Sequence, residues 1–199
     1  LVKTPKGEAS GPVSFMSIFD AATWVIVQGG RRRGANMGIL RCDHPDIMDF
    51  IEAKIDKGRF ANFNLSIAVT DRFMDAVRRD GNFDLVNPRT GKKDRAVRAR
   101  TIFDLIVYGA WRTGDPGLIF VDAINRQNPT PALGRIEATN PCGELPLLPY
   151  ESCNLGSVNL ARMVKDGKPD WKRLAETIRW GVRFLDDVIE VNNFPMPDI

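Results

Sequence analysis

Apolar residues at Phe15, Ile18, Phe19, Ala22, Val25 and Ile26 recur at helical spacing, which predicts an amphipathic helix over 14–28 that stops at Gly29-Gly30. A short strand is expected over 36–41. Pro45 then opens a helix over 47–55, because its fixed φ suits a first turn and its missing N–H is not needed there. The run Phe63-Asn-Leu-Ser-Ile-Ala-Val69 reads as a strand with side chains directed both inward and outward. Thr70 is a candidate cap for a helix over 71–79, where Asp71 favours the positive end of the helix dipole. The Pro- and Gly-bearing run 81–93 points to a hairpin or a surface loop. A helix over 102–112, closed by Gly114-Asp-Pro-Gly117, precedes a buried strand over 118–121. Residues 125–135 read as a polar loop, and Ser157-Val-Asn-Leu160 as strand-like. A long helix over 171–191 carries Leu174, Ile178, Val182, Leu185 and Ile189 on one face, expected to pack inward. Trp24, Trp111, Trp171 and Trp180 lie on these helical patterns and are expected to be core or helix-packing residues.

Helices alternating with strands, without internal repeats or low-complexity tracts, indicate an α/β fold. A chain of 199 residues suffices for one sizeable core. It lacks both an apolar run of about 20 residues for a membrane span and a signal-peptide pattern. Three cysteines, an odd number, argue against a secreted disulfide framework and for a reducing, cytoplasmic compartment. The net charge of +3 is too mild for nucleic-acid binding by bulk electrostatics. Positive charge is local, at Arg31-Arg32-Arg33 and from Lys92 to Arg100, and such clusters also suit the phosphates of small molecules. The chain begins without Met and ends on Pro197-Asp198-Ile199, and it reads as an internal fragment of a longer protein.

Two of the cysteines fall close together, in Asn140-Pro141-Cys142-Gly143-Glu144 and in Glu151-Ser152-Cys153-Asn154. Pro141 and Gly143 put Cys142 on a tight loop, where backbone and side chains approach a ligand closely. Asn140 both donates and accepts hydrogen bonds, and Glu144 is a candidate base. In an extended loop the side chains of 140, 142 and 144 would share one side. The bland alternative is a pair of ordinary core cysteines. Cys42, His44 and Asp46 also alternate, but one short stretch without a second cluster is a weak metal motif, and no metal site is assigned. Cys42 is expected to be a half-buried bystander. Asn64-Leu65-Ser66 matches a glycosylation acceptor without a secretory context to support it.

The Asn140 to Glu144 segment, with Leu147-Leu-Pro-Tyr-Glu-Ser-Cys-Asn-Leu-Gly-Ser-Val-Asn-Leu160 behind it, resembles the catalytic segment of ribonucleotide reductases, and most nearly that of the adenosylcobalamin-dependent class II. Gln28-Gly29-Gly30-Arg31-Arg32-Arg33-Gly34-Ala35-Asn36, followed by Met-Gly-Ile-Leu40 and Cys42-Asp-His-Pro-Asp46, is similar to the specificity-loop region of the same family. The resemblance runs across nearly the whole chain. It implies a fragment, 1–199, of one catalytic domain, the ten-stranded α/β barrel, with an effector region at 1–60 and a catalytic-cysteine region at 136–160. Cys142 resembles the thiyl-radical cysteine, Asn140 the substrate-binding amide and Glu144 the carboxylate that takes the 3′-hydroxyl proton. Pro141 and Gly143 complete the substrate-binding turn, and Cys153 resembles one half of the reducing dithiol. Its partner lies, in the family, upstream of Leu1, so the chain alone is not expected to turn over.

The same resemblance implies a ribonucleotide substrate, a nucleotide effector at residues 28–36, adenosylcobalamin, a thioredoxin-type reductant and a subunit contact of a homodimer beside the loop. The loop is not a phosphate-cradling P-loop, since the Gly-Lys-Ser/Thr ending is missing. Two alternatives stay open. One is a class I large subunit served by a separate radical subunit, against which the Asn-Pro-Cys wording argues. The other is a non-catalytic nucleotide-binding module in which the cysteines are incidental.

Overall fold

The computed structural model describes residues 2–4, 7–9, 11–28, 32–56 and 58–194, with side chains for 11–26, 34–56 and 58–194. They form two compact units, Leu1–Pro149 and Tyr150–Ile199. The first unit begins with an antiparallel pair, β1 (Val2–Thr4) and β2 (Gly7–Ala9), then helix α1 (Gly11–Val25) and a second pair, β3 (Val27–Gln28) and β4 (Arg32–Arg33). Strand β5 (Asn36–Arg41), helix α2 (Ile47–Glu52) and strand β6 (Phe63–Val69) follow. Helix α3 (Asp71–Arg78), the hairpin β7 (Asn82–Val86) with β8 (Lys93–Arg98), and helix α4 (Ala99–Thr113) lead to strand β9 (Gly117–Phe120). Helix α5 (Val121–Arg126) and the pair β10 (Ala138–Thr139) and β11 (Pro146–Leu147) complete it.

Strand β6 is the centre, paired in parallel with β5 on one side and β9 on the other. Each parallel step needs a crossover, and helices α2 and α4 lie on the two crossovers. Strand β6 departs from the mixed pattern expected for it. Every residue except Asn64 is buried, as a central strand covered on both faces requires. Leu65, Ile67 and Val69 join Ile47 and Ile51 of α2, Phe73 of α3, Leu85 of β7 and Ile102 of α4 in one core. Each such side chain contributes about 1.5–3 kcal/mol by leaving water. Phe73 also meets Phe83 edge-on, with ring centroids 5.1 Å apart.

Polar locks fix the start of β6. Lys54 Nζ lies 2.6 Å from Asp115 Oδ2 and donates to Phe63 O at 2.5 Å, while Asp115 Oδ1 accepts from Leu65 N at 2.9 Å. Asp20 of α1 accepts from the Asn62 backbone at 3.1 Å and from its amide at 3.2 Å. Asn36 donates from its backbone to Asn62 O at 2.7 Å and from its amide to Thr23 of α1 at 2.8 Å. Gly38 packs closely here, since a Cβ would stand 2.9 Å from Leu65 Cδ2 and that side chain would have to shift.

The second unit holds a 3-10 turn (Leu160–Met163), a short hairpin of β12 (Val164–Lys165) and β13 (Lys168–Pro169), and helix α6 (Trp171–Val191). Asp170 caps α6 by accepting from Arg173 N at 3.0 Å.

Several expectations are corrected. Residues 151–159 are irregular, so the strand expected at 157–160 is replaced by the start of the 3-10 turn. No residue of α6 is buried; Leu174 and Leu185 are half-buried, and Trp171 and Trp180 are 71% and 76% exposed. Trp111 is exposed as well, and Trp24 is 47% exposed, so none of the four tryptophans is a core residue. An apolar stripe specifies what a helix buries only when a covering surface is present. Among the described residues the sheet does not close into a barrel, and no helix is long and apolar enough to cross a membrane.

Candidate active site

Strands β10 and β11 pair Ala138 with Leu147 and Thr139 with Pro146, which leaves 140–145 as the connecting turn. Asn140 organises it three ways. Its N–H donates to Leu145 O at 3.2 Å, its carbonyl accepts from Gly143 N at 3.0 Å, and its side-chain Oδ1 accepts from Leu145 N at 3.0 Å. Thr139, buried beneath the turn, adds a hydroxyl donor to Asn140 O at 3.0 Å. Gly143 has φ +83°, the left-handed region where a side chain would strain the backbone. The segment is therefore a closed turn and not the extended loop whose alternation would align 140, 142 and 144. Side-chain capture of Leu145 N by Asn140 is the physical reason, an Asx-type competition that spacing alone does not reveal.

Cys142 and Glu144 are both exposed on this turn, and Asn140 is half-buried. With Oδ1 engaged inside the turn, Asn140 offers its amide donors to a ligand. The turn is tied to the sheet from below: Asn64 Nδ2 donates to Pro141 O at 2.5 Å, across 77 positions of sequence. Sequence reasoning missed this residue. Its signal was a polar side chain at the second position of the strand, the one residue of β6 that is exposed.

Beside the turn lies an open groove of about 540 Å³. Phe15 and Phe19 of α1 and Phe63 of β6 supply aromatic walls, Asn36 stands at the start of β5, and Pro141 belongs to the turn. Ala35 and Asn36, the last residues assigned to the specificity loop, thus share a groove with the cysteine turn. Gly34 is tightly packed, since a Cβ there would stand 3.0 Å from Thr23. Gln28 and Arg32 pair across β3 and β4. Gly29, Gly30 and Arg31 lie outside the described residues, as do the side chains of Gln28, Arg32 and Arg33.

The other two cysteines differ sharply. Cys153 belongs to the second unit, exposed in its irregular stretch, where the next residue, Asn154, donates to Leu185 O at 2.9 Å. Cys42 is fully buried, more than the half-burial expected, and burial pushes its thiol up to about 11 against partial relief from Thr70 hydrogen bonds. His44 Nδ1 accepts from Asp46 N at 3.0 Å, which occupies the ring nitrogen facing that residue. Burial lowers the His44 pKa, opposed by the nearby Asp46 carboxylate.

The basic run from Lys92 to Arg100 is largely spent on ion pairs. Lys93 meets Asp84 at 2.7 Å, Arg95 meets Asp94 at 2.9 Å and Arg100 meets Asp104 at 2.9 Å, while Arg98 is bridged to Asp80. These exposed pairs add little stability but leave the cluster near neutral.

Comparison with known proteins finds relatives along the full chain. Residues 1–199 match the family described as ribonucleotide reductase, barrel domain. A vitamin B12-dependent ribonucleoside-diphosphate reductase of Thermoplasma acidophilum is 59% identical, covering 100% of this chain and 26% of the relative. The protein of that name from Mycobacterium tuberculosis is 57% identical, over 100% of this chain and 29% of the relative. A vitamin B12-dependent ribonucleotide reductase of Streptomyces coelicolor is 37% identical over 97% of this chain and 23% of the relative. The chain thus spans between a fifth and a third of the length of these relatives. A match that leaves no residue of the chain uncovered means that it belongs to the ribonucleotide reductase barrel-domain family.

Proposed function

We propose that this chain is part of the catalytic barrel of a class II ribonucleotide reductase, and that its protein replaces the 2′-hydroxyl of a ribonucleotide by hydrogen. The observation that carries this reading is an exposed thiol, Cys142, held between Asn140 and Glu144 on a hydrogen-bonded turn. The ten-stranded barrel, of which the β5–β6–β9 sheet would be a part, belongs to this proposal, as do a cytoplasmic setting and a homodimer.

In this account Cys142, as a thiyl radical, takes the hydrogen atom from the ribose 3′ carbon. Glu144 accepts the 3′-hydroxyl proton, which eases departure of the 2′-hydroxyl as water. The Asn140 amide hydrogen-bonds the substrate. Cys153 and a partner thiol outside 1–199 supply two electrons and two protons and end as a disulfide, and Cys142 returns the hydrogen atom to the 3′ carbon. The balance is ribonucleotide plus dithiol giving deoxyribonucleotide, disulfide and water. A thioredoxin-type reductant would restore the dithiol, and a nucleotide effector would act at residues 28–36.

The turn suits a bulky radical source. Cys142 is exposed, and nothing lies within 4 Å of where a Gly143 Cβ would stand. When bound, adenosylcobalamin supplies the organic radical that oxidises the thiol. The relatives at 57% and 59% identity are named as vitamin B12-dependent, which favours a cobalamin over a separate radical subunit.

The test is deoxyribonucleotide formation by the full-length protein with adenosylcobalamin and a dithiol. One product per dithiol oxidised, and none without the cobalamin, is expected. Product without cobalamin would move the chain to class I. Nucleotide binding without any product would favour a non-catalytic binding module.

A further inference from the structure

We propose that Asn64 is a positioning residue for Cys142, an inference that rests on reading Cys142 as the radical thiol. Asn64 is the exposed exception on a strand whose other residues are buried, so packing does not account for an amide at this place. Its Nδ2 donates at 2.5 Å to Pro141 O, the carbonyl of the peptide plane that ends at Cys142 N. The hydrogen bonds within 140–145 shape the turn but say nothing about where the turn sits on the sheet. The Asn64 bond does, because it joins the peptide before the thiol to the central strand.

That strand is the central strand of the three-stranded sheet. Parallel ladders run along both its edges, the backbone of Leu65, the next residue, is gripped by Asp115, and Asn62 is gripped by Asp20. Asn64 thus hands the stiffness of the core to one exposed peptide plane. Hydrogen-atom transfer depends steeply on donor–acceptor separation, and a misplacement of about 1 Å can cost roughly 100-fold in rate. An exposed hydrogen bond has water as a ready substitute, so its loss moves the thiol without threatening the fold. The same engagement uses the amide that the Asn64-Leu65-Ser66 sequence would offer for glycosylation, and Ser66 is buried.

The test uses the full-length protein with adenosylcobalamin and a dithiol. Asn64→Leu removes the donor at similar size, and Asn64→Asp keeps the shape while setting a carboxylate oxygen against the Pro141 carbonyl. For both, kcat is expected to fall about 10- to 100-fold, with KM for the nucleotide and the melting temperature unchanged. Alkylation of Cys142 by iodoacetamide, followed by peptide mass spectrometry without cofactor, should change its rate in both variants while Cys153 alkylation does not. Unchanged kcat and Cys142 alkylation would overturn the proposal, as would losses that follow a drop in melting temperature. Cys142→Ser is measured in parallel. If it abolishes turnover while the Asn64 variants are normal, only the positioning role fails. If it leaves turnover intact, the radical-thiol reading fails and the positioning role falls with it.

Discussion

Cys42 and Cys142 are the same residue type in opposite settings. Cys42, just past β5, is sealed in the core, and its thiol resists ionisation because burial penalises the charge. Cys142 stands exposed on a turn closed by Asn140 and anchored by Asn64. The first behaves as a small apolar residue, the second as a thiol open to solvent, as the proposed radical role requires. Access and neighbours separate the two thiols, and the Asn64 bond ties the Cys142 turn to strand β6.

The largest effect that sharpens this contrast, short of removing the thiol, is at Glu144. Glu144→Gln keeps the shape but removes the base, so kcat is expected to fall by about 10²- to 10⁴-fold with nucleotide affinity kept. Steady-state kinetics with separate binding measurements check this, and a variant with full kcat would remove Glu144 from the reaction. Next comes Cys42→Ser, which buries a hydroxyl where the sulfur packed. It should cost about 1–3 kcal/mol in denaturant unfolding and leave kcat unchanged. A fall in kcat there would blur the division between the two thiols.

The smallest effect concerns His44, half-buried and two residues from Cys42. Burial lowers its pKa below the ordinary 6.5, so below about pH 6.5 the unfolded state takes up the proton first. Its contribution to stability is therefore present above pH 6.5 and declines as pH falls through the lowered folded value. Protonation would also cost the bond that Nδ1 accepts from Asp46 N. His44→Asn should flatten that part of the stability-against-pH curve, and an unchanged slope would argue against it.

Much of the scaffold was legible in the sequence because the relevant forces are local. Strands β5 and β6 and helix α6 begin and end where periodicity placed them, and Thr70 caps α3 by accepting from Phe73 N at 3.1 Å, as expected. Helix α5 was missed because six residues carry too little periodicity to separate them from a polar loop. The two-sided burial of β6 and the exposure of α6 depend on which elements lie alongside, which periodicity does not encode. At the site, the motif named Cys142, Asn140 and Glu144, and Pro141 and Gly143 correctly signalled a tight turn. The Asn140 bond to Leu145 and the Asn64 bond to Pro141 were hidden, the first because it competes with extended backbone and the second because it joins positions 77 apart.

The central claim is that Cys142, and not merely some thiol of this chain, carries the radical step. The most direct test compares Cys142→Ser with Cys42→Ser in the full-length protein, measuring deoxyribonucleotide formation with adenosylcobalamin and a dithiol. The account predicts no product from the first and wild-type turnover from the second, with nucleotide binding retained in both. Product formation by the Cys142 variant would contradict it.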